Sequence, residues 1–203
     1  MKPQRRSTTA VLCTLSLCAA TAATAAPPRD FYAGASIGAG LIQPEGLDTI
    51  DDTRSASIRA GGGVFAGLRL GALPVGDGLP VFAEAGLFRI GSHRVPYKMA
   101  ASTSELTASG QGAYLAAKLD LWSPGRFAAF VRLGVASTSV RASTPAGQPP
   151  IAVAGRGTGL MWGMGVEYDF DSGLALRADI TAYERTSARS SAGGPSLSLA
   201  YRF

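Results

Sequence analysis

His93 is the only histidine in the 203-residue chain, so any imidazole-dependent nucleophilic or proton-transfer chemistry has to pass through it. It stands in the run Gly91-Ser92-His93-Arg94-Val95-Pro96, which reads as the start of a loop, and no catalytic residue is assigned there. Glu45, Asp48, Asp51 and Asp52 crowd a second stretch, but their spacing lacks the regular ligand ladder of a calcium loop. A solvated acidic loop is expected, with no metal and no other cofactor. The remaining candidates are ten charges set singly into apolar alternations: Arg69, Lys118, Arg132, Arg177 and Arg202 against Glu84, Asp120, Glu167, Asp169 and Asp179. Five of each sign can neutralise one another as buried ion pairs, which is the one chemistry their mixture offers at mid-strand.

The elements that carry these charges alternate with period two. Leu174, Leu176, Ala178 and Ile180 share one face while Arg177, Asp179 and Thr181 share the other; Trp162, Met164, Val166 and Tyr168 oppose Gly163, Gly165, Glu167 and Asp169. The same rule sets Leu115, Ala117, Leu119 and Leu121 against Lys118 and Asp120, and Val131, Leu133 and Val135 against Arg132 and Gly134. Eight such segments can be read, at about 30–42, 57–71, 80–91, 106–122, 127–141, 155–170, 174–186 and 195–203. Long connections at 43–56, 92–105 and 142–154 alternate with short turns such as Ser123-Pro124-Gly125-Arg126 and Asp171-Ser172-Gly173. An even number of strands with long loops on one side and tight turns on the other predicts an all-β fold, an eight-stranded antiparallel up-and-down transmembrane β-barrel.

A charge on a face buried among apolar groups is costly unless paired, so the charged face must look into the barrel and the apolar face into lipid. Phe31, Phe127, Tyr168, Phe170, Tyr201 and Phe203 all fall near a short turn or the chain end and are expected to form the periplasmic aromatic girdle. The ending Leu197, Leu199, Tyr201, Phe203 is a strand that finishes on an aromatic, and Tyr201 and Phe203 are expected to serve as the assembly signal. Many of the 26 glycines lie within strands, where they permit close inward packing in a narrow barrel.

The chain opens with Lys2, Arg5 and Arg6, then an uncharged run from Val11 to Ala26, a pattern expected of a signal peptide over 1–25 with cleavage after Ala25, leaving a barrel domain over 26–203. Its removal takes Cys13 and Cys18, and with them thiol chemistry and disulfides. It also takes three of the 19 basic residues and none of the 14 acidic ones, so the formal net charge of +5 falls to +2. That balance, with no long basic run, gives no footprint for nucleic acid.

The run Gly163-Met164-Gly165-Val166-Glu167-Tyr168, the strand Leu174-Ala175-Leu176-Arg177-Ala178-Asp179 and the ending Ser196-Leu197-Ser198-Leu199-Ala200-Tyr201-Arg202-Phe203 resemble the eight-stranded transmembrane domain of outer-membrane protein A and related small outer-membrane barrels. The resemblance implies a non-enzymatic scaffold of the cell outer membrane with an ion-paired lumen, to which Glu167, Arg177 and Arg132 would contribute. It also implies contact with outer-membrane lipid, and handling by periplasmic chaperones and the barrel-assembly machinery. A monomer is expected. Arg94, Lys98, Arg141, Arg156, Arg185 and Arg189 form a basic collar near the outer rim, expected to meet lipopolysaccharide phosphates. The alternatives are a surface adhesin acting through its loops, a lipid A-modifying barrel enzyme and a small gated pore. Lipid A deacylases use a Ser–His–acid arrangement on such a barrel, but the run around His93 lacks their His-Ser-Asn pattern.

Overall fold

Period-two alternation leaves each segment with one apolar and one polar face, and the chain satisfies both by closing a single antiparallel sheet on itself. The computed structural model describes residues 30–44, 59–75, 78–99, 102–123, 125–143, 152–185 and 190–203. The strands are β1 (Phe31–Gly38), β2 (Leu41–Pro44), β3 (Gly61–Leu73), β4 (Leu79–Met99), β5 (Ser102–Trp122), β6 (Phe127–Ser143), β7 (Ala152–Asp169), β8 (Leu174–Arg185) and β9 (Ser190–Arg202). β1 and β2 are two lengths of one stave, since both lie along β9, with Gly38 opposite Ser196 and Leu41 opposite Gly193. Consecutive staves pair from β1 through β3 to β9, and β1–β9 pairing closes an eight-stave barrel. Residues 1–25, where a signal peptide is expected, with Cys13 and Cys18, and the acidic residues Glu45, Asp48, Asp51 and Asp52 lie outside the described residues.

One hairpin is longer than the alternation predicts. In place of a loop over 92–105, β4 runs to Met99 and β5 begins at Ser102, with Arg94 opposite Thr107 and Met99 opposite Ser102. The register explains the discrepancy: a bulge between Ile90 and His93 inserts one residue into β4, which reverses the parity of everything beyond it, and Pro96 then interrupts the pattern. Two further bulges, at Arg69/Gly71 and Asp120/Trp122, lie at the other end of the barrel. Gly173 (φ 85°) takes a left-handed conformation in the β7–β8 turn, where its N–H donates to Phe170 O at 3.1 Å.

The burial is inside out. Leu68, Leu115, Leu133, Val135, Met164, Ile180 and Leu199 are exposed on the outer surface, whereas the largest fully buried side chains include Arg177, Lys118 and Glu84. So continuous an apolar exterior around a charged interior is stable only in lipid. At the short-turn end the expected girdle is in contact: Phe31 with Phe203, Phe127 with Tyr168, Tyr168 with Phe170 and Tyr201 with Phe203, at centroid separations of 4.7 to 5.5 Å.

Inward glycines seat inward aromatics. The register sets Tyr32 opposite Gly67, Phe65 opposite Gly34, Tyr114 opposite Gly86, Phe88 opposite Gly112 and Phe130 opposite Gly165. Each ring lies over its glycine, so that a Cβ on Gly86 would stand 2.6 Å from Tyr114 Cε1 and one on Gly165 2.7 Å from Phe130 Cζ. Gly86→Ala should therefore displace Tyr114 and destabilise the barrel by about 1–3 kcal/mol. Denaturant unfolding in lipid vesicles measures this.

Candidate functional site: a charged ladder through the lumen

The lumen charges form one connected ladder along the barrel axis. Glu84 on β4 is its hub: Oε2 accepts from Tyr32 Oη at 2.7 Å and Arg177 Nη1 at 2.7 Å, and Oε1 from Arg132 Nη1 at 2.8 Å and Tyr114 Oη at 2.9 Å. Arg177 also donates through Nε to Glu167 Oε2 at 2.8 Å. Glu167 is shared further with Lys118 Nζ at 3.5 Å and with Arg202, and Lys118 reaches Asp120 at 2.8 Å. Arg202 lies 3.2 Å from Asp169 at the short-turn mouth. Toward the loop end, Arg132 Nη2 donates to Asp179 at 2.6 Å and Thr181 Oγ1 at 2.7 Å, and Thr181 and Ser196 hydroxyls donate to the same Asp179 oxygen.

Glu84 is 0% and Arg177 1% exposed, so each ion has left water entirely and depends on its partners. The register places two cations opposite one another, Lys118 on β5 and Arg132 on β6. The strain of that pairing is relieved because they turn apart: Lys118 points to Asp120 and Glu167, and Arg132 to Glu84 and Asp179. Phe130 sits among three cations, with centroid distances of 4.9 Å to Lys118 Nζ, 5.6 Å to Arg132 Cζ and 5.0 Å to Arg177 Cζ. Its ring face adds attraction that a second carboxylate would otherwise have to supply.

Of the ten charges read from the sequence, nine belong to this ladder. Arg69 does not: it lies 3.7 Å from Asp30 at the short-turn rim, with a side chain 45% exposed, because the adjacent bulge ends the regular inward alternation of β3. Tyr32, Tyr114, Thr181 and Ser196, none of them among the ten charges, also join the ladder. Tyr114 shares the parity of Lys118, and Thr181 that of Arg177 and Asp179, so the polar face itself carried the signal.

The sequence model for the outer membrane protein beta-barrel domain matches residues 9–203. The chain belongs to the outer membrane protein beta-barrel domain family. Its place is therefore the cell outer membrane, with the apolar girdle in lipid. No curated protein sequence matches the chain. Among solved structures it is similar to Ail, the attachment invasion locus protein of Yersinia pestis, with TM-score 0.51 and 13% identity over 86% of this chain and 99% of that one. Ail in complex with the heparin analogue sucrose octasulfate matches over the same shares, with TM-score 0.51 and 14% identity. OprG from Pseudomonas aeruginosa matches at TM-score 0.50 and 12% identity, over 86% of this chain and 96% of that one. At these identities the likeness is one of fold.

Barrels of this family put loops and short turns on opposite sides of the membrane, which makes the β4–β5 hairpin an outer feature. Arg94, Arg141 and Arg156 are exposed on the outer surface of β4, β6 and β7. Arg141 faces Ala154 and Arg156 faces Ser139, which makes the two diagonal neighbours about 7–8 Å apart. Arg189, and the side chains of Lys98 and Arg185, lie outside the described residues. His93 sits in the β4 bulge opposite Ala108, and its side chain is likewise outside them.

Proposed function

We propose that this outer-membrane barrel is a non-enzymatic scaffold of the cell envelope, its lumen locked by the charged ladder. The observation that supports this reading is the hub at Glu84, whose two oxygens take four donors from β1, β5, β6 and β8 and so tie together staves from every side of the wall. In this reading residues 1–25 direct secretion and are cut after Ala25. Periplasmic chaperones carry the unfolded chain, and the barrel-assembly machinery recognises the strand ending in Tyr201 and Phe203. The folded protein is monomeric, and its basic rim, with Arg94, Arg141 and Arg156, meets lipopolysaccharide phosphates.

The test is envelope permeability. Cells lacking the protein should become more sensitive to bile salts and large antibiotics, and a version with the β4–β5 hairpin cut back below Arg94 should restore resistance. Unchanged sensitivity, or rescue only by the untrimmed hairpin, would refute the scaffold reading. A second reading, surface attachment, has one observation in its favour: among the described residues, 95–99 and 102–106 form strand pairs only with each other, as a long two-stranded hairpin. It predicts that the same trimming abolishes cell attachment and leaves permeability unchanged. With no catalytic role given to His93, the lipid A acyl pattern by mass spectrometry should be the same with and without the protein.

A further inference from the structure

The β4 bulge does more than lengthen a hairpin. At the outer end of β3 the backbone N–H of Arg59 donates to Ser92 O at 3.0 Å, inside the bulge, and a Cβ on Gly91 would run into the Arg59 carbonyl oxygen. Glycine at 91 thus lets the start of β3 close onto the widened turn of β4. The result is a groove of about 450 Å³ walled by Arg59, Arg89, Ser92 and Ser109 over Gly61 and Gly62. Both arginines are exposed, and among the described residues that line it none is a carboxylate. Bulges at barrel rims commonly re-aim side chains in this manner.

Its height fixes what can reach it. Arg89 pairs with Gly62, and the next outward pair down is Leu87 with Val64, both exposed apolar residues of the lipid-facing band. The groove therefore opens where acyl chains end and headgroups begin. Two guanidiniums offer paired, planar donors suited to a phosphate, and two serine hydroxyls can complete its coordination. We propose that this groove seats a phosphate of lipid A in the outer leaflet, with Arg59 and Arg89 as its ligands. The assignment rests on the outer-membrane placement and does not depend on the scaffold role. A soluble phosphate offers the same chemistry, and competition by a soluble anion separates the two sources.

The experiment uses full-length protein refolded in mild detergent and titrated with bisphosphoryl or dephosphorylated lipid A, with bound lipid counted by native mass spectrometry. Wild type should hold one bisphosphoryl lipid A at least about tenfold more tightly than the dephosphorylated form. Arg59→Gln/Arg89→Gln should remove that preference, while Arg126→Gln, in the short turn before β6 where Arg126 pairs with Asp171, should keep it. A heat-dependent gel shift in each sample verifies a closed barrel, so loss of binding is separated from loss of fold. Equal binding of the two lipids, an unaffected Arg59→Gln/Arg89→Gln variant, or stronger competition by soluble sucrose octasulfate than by lipid A would overturn the assignment.

Discussion

Arg177→Met should destabilise the folded barrel by about 3–5 kcal/mol, the largest effect of any single substitution in the lumen. The methionine nearly fills the space, so the effect is electrostatic. Glu84 keeps Arg132 and its two tyrosine donors, and Glu167 keeps Lys118 and Arg202, but each loses its guanidinium at 2.7–2.8 Å while remaining out of water. Urea unfolding in vesicles measures the loss, and a change below about 1 kcal/mol would show that the ladder is not what holds the wall. Adding Glu167→Gln should recover part of it, because the double variant leaves one fewer uncompensated carboxylate. Full additivity of the two changes would mean that the observed pair does not couple.

A second large effect lies on the opposite face of the wall. Leu133 on β6 is 58% exposed, and on a water-soluble barrel Leu133→Arg would be close to neutral. In lipid it should cost about 2–4 kcal/mol, because position 133 lies in the middle of the apolar band. Ser137, four residues further along the same outward face and beside the polar Gln111 and Ser139 positions, should accept arginine at a cost of about 0–1 kcal/mol. Equal effects at the two positions, read from denaturant midpoints in vesicles, would contradict the placement of the lipid band. Together the depth series and the Arg177 variant test the two faces independently.

The placement of Leu133 outward and Arg132 inward was legible from alternation alone, since a period of two assigns every residue of a strand to a face once one charge is located. Strand number, the girdle aromatics and nine of the ten lumen charges followed from that rule. It failed where the period breaks. The bulges at Ile90/His93 and Arg69/Gly71 each insert one residue, and a one-residue slip exchanges the faces. The β4–β5 ladder was therefore read as a loop, while Arg69, the last residue before its bulge and opposite the buried Phe82, stands at the rim and reaches Asp30 instead of the ladder. Arg59 and Arg89 escaped notice for the same reason: nothing local brings the start of β3 against Gly91 and Ser92.

Composition and period thus determined, without any structure, that this chain is a barrel with charge inside and lipid outside. Which charge meets which was decided only by closure. Glu84 and Arg177 lie 93 residues apart, and Tyr32 and Gly67 face each other because of the β1–β3 stagger. Pairing across a lumen depends on the register of eight staves at once, whereas the sequence pattern reports each stave separately.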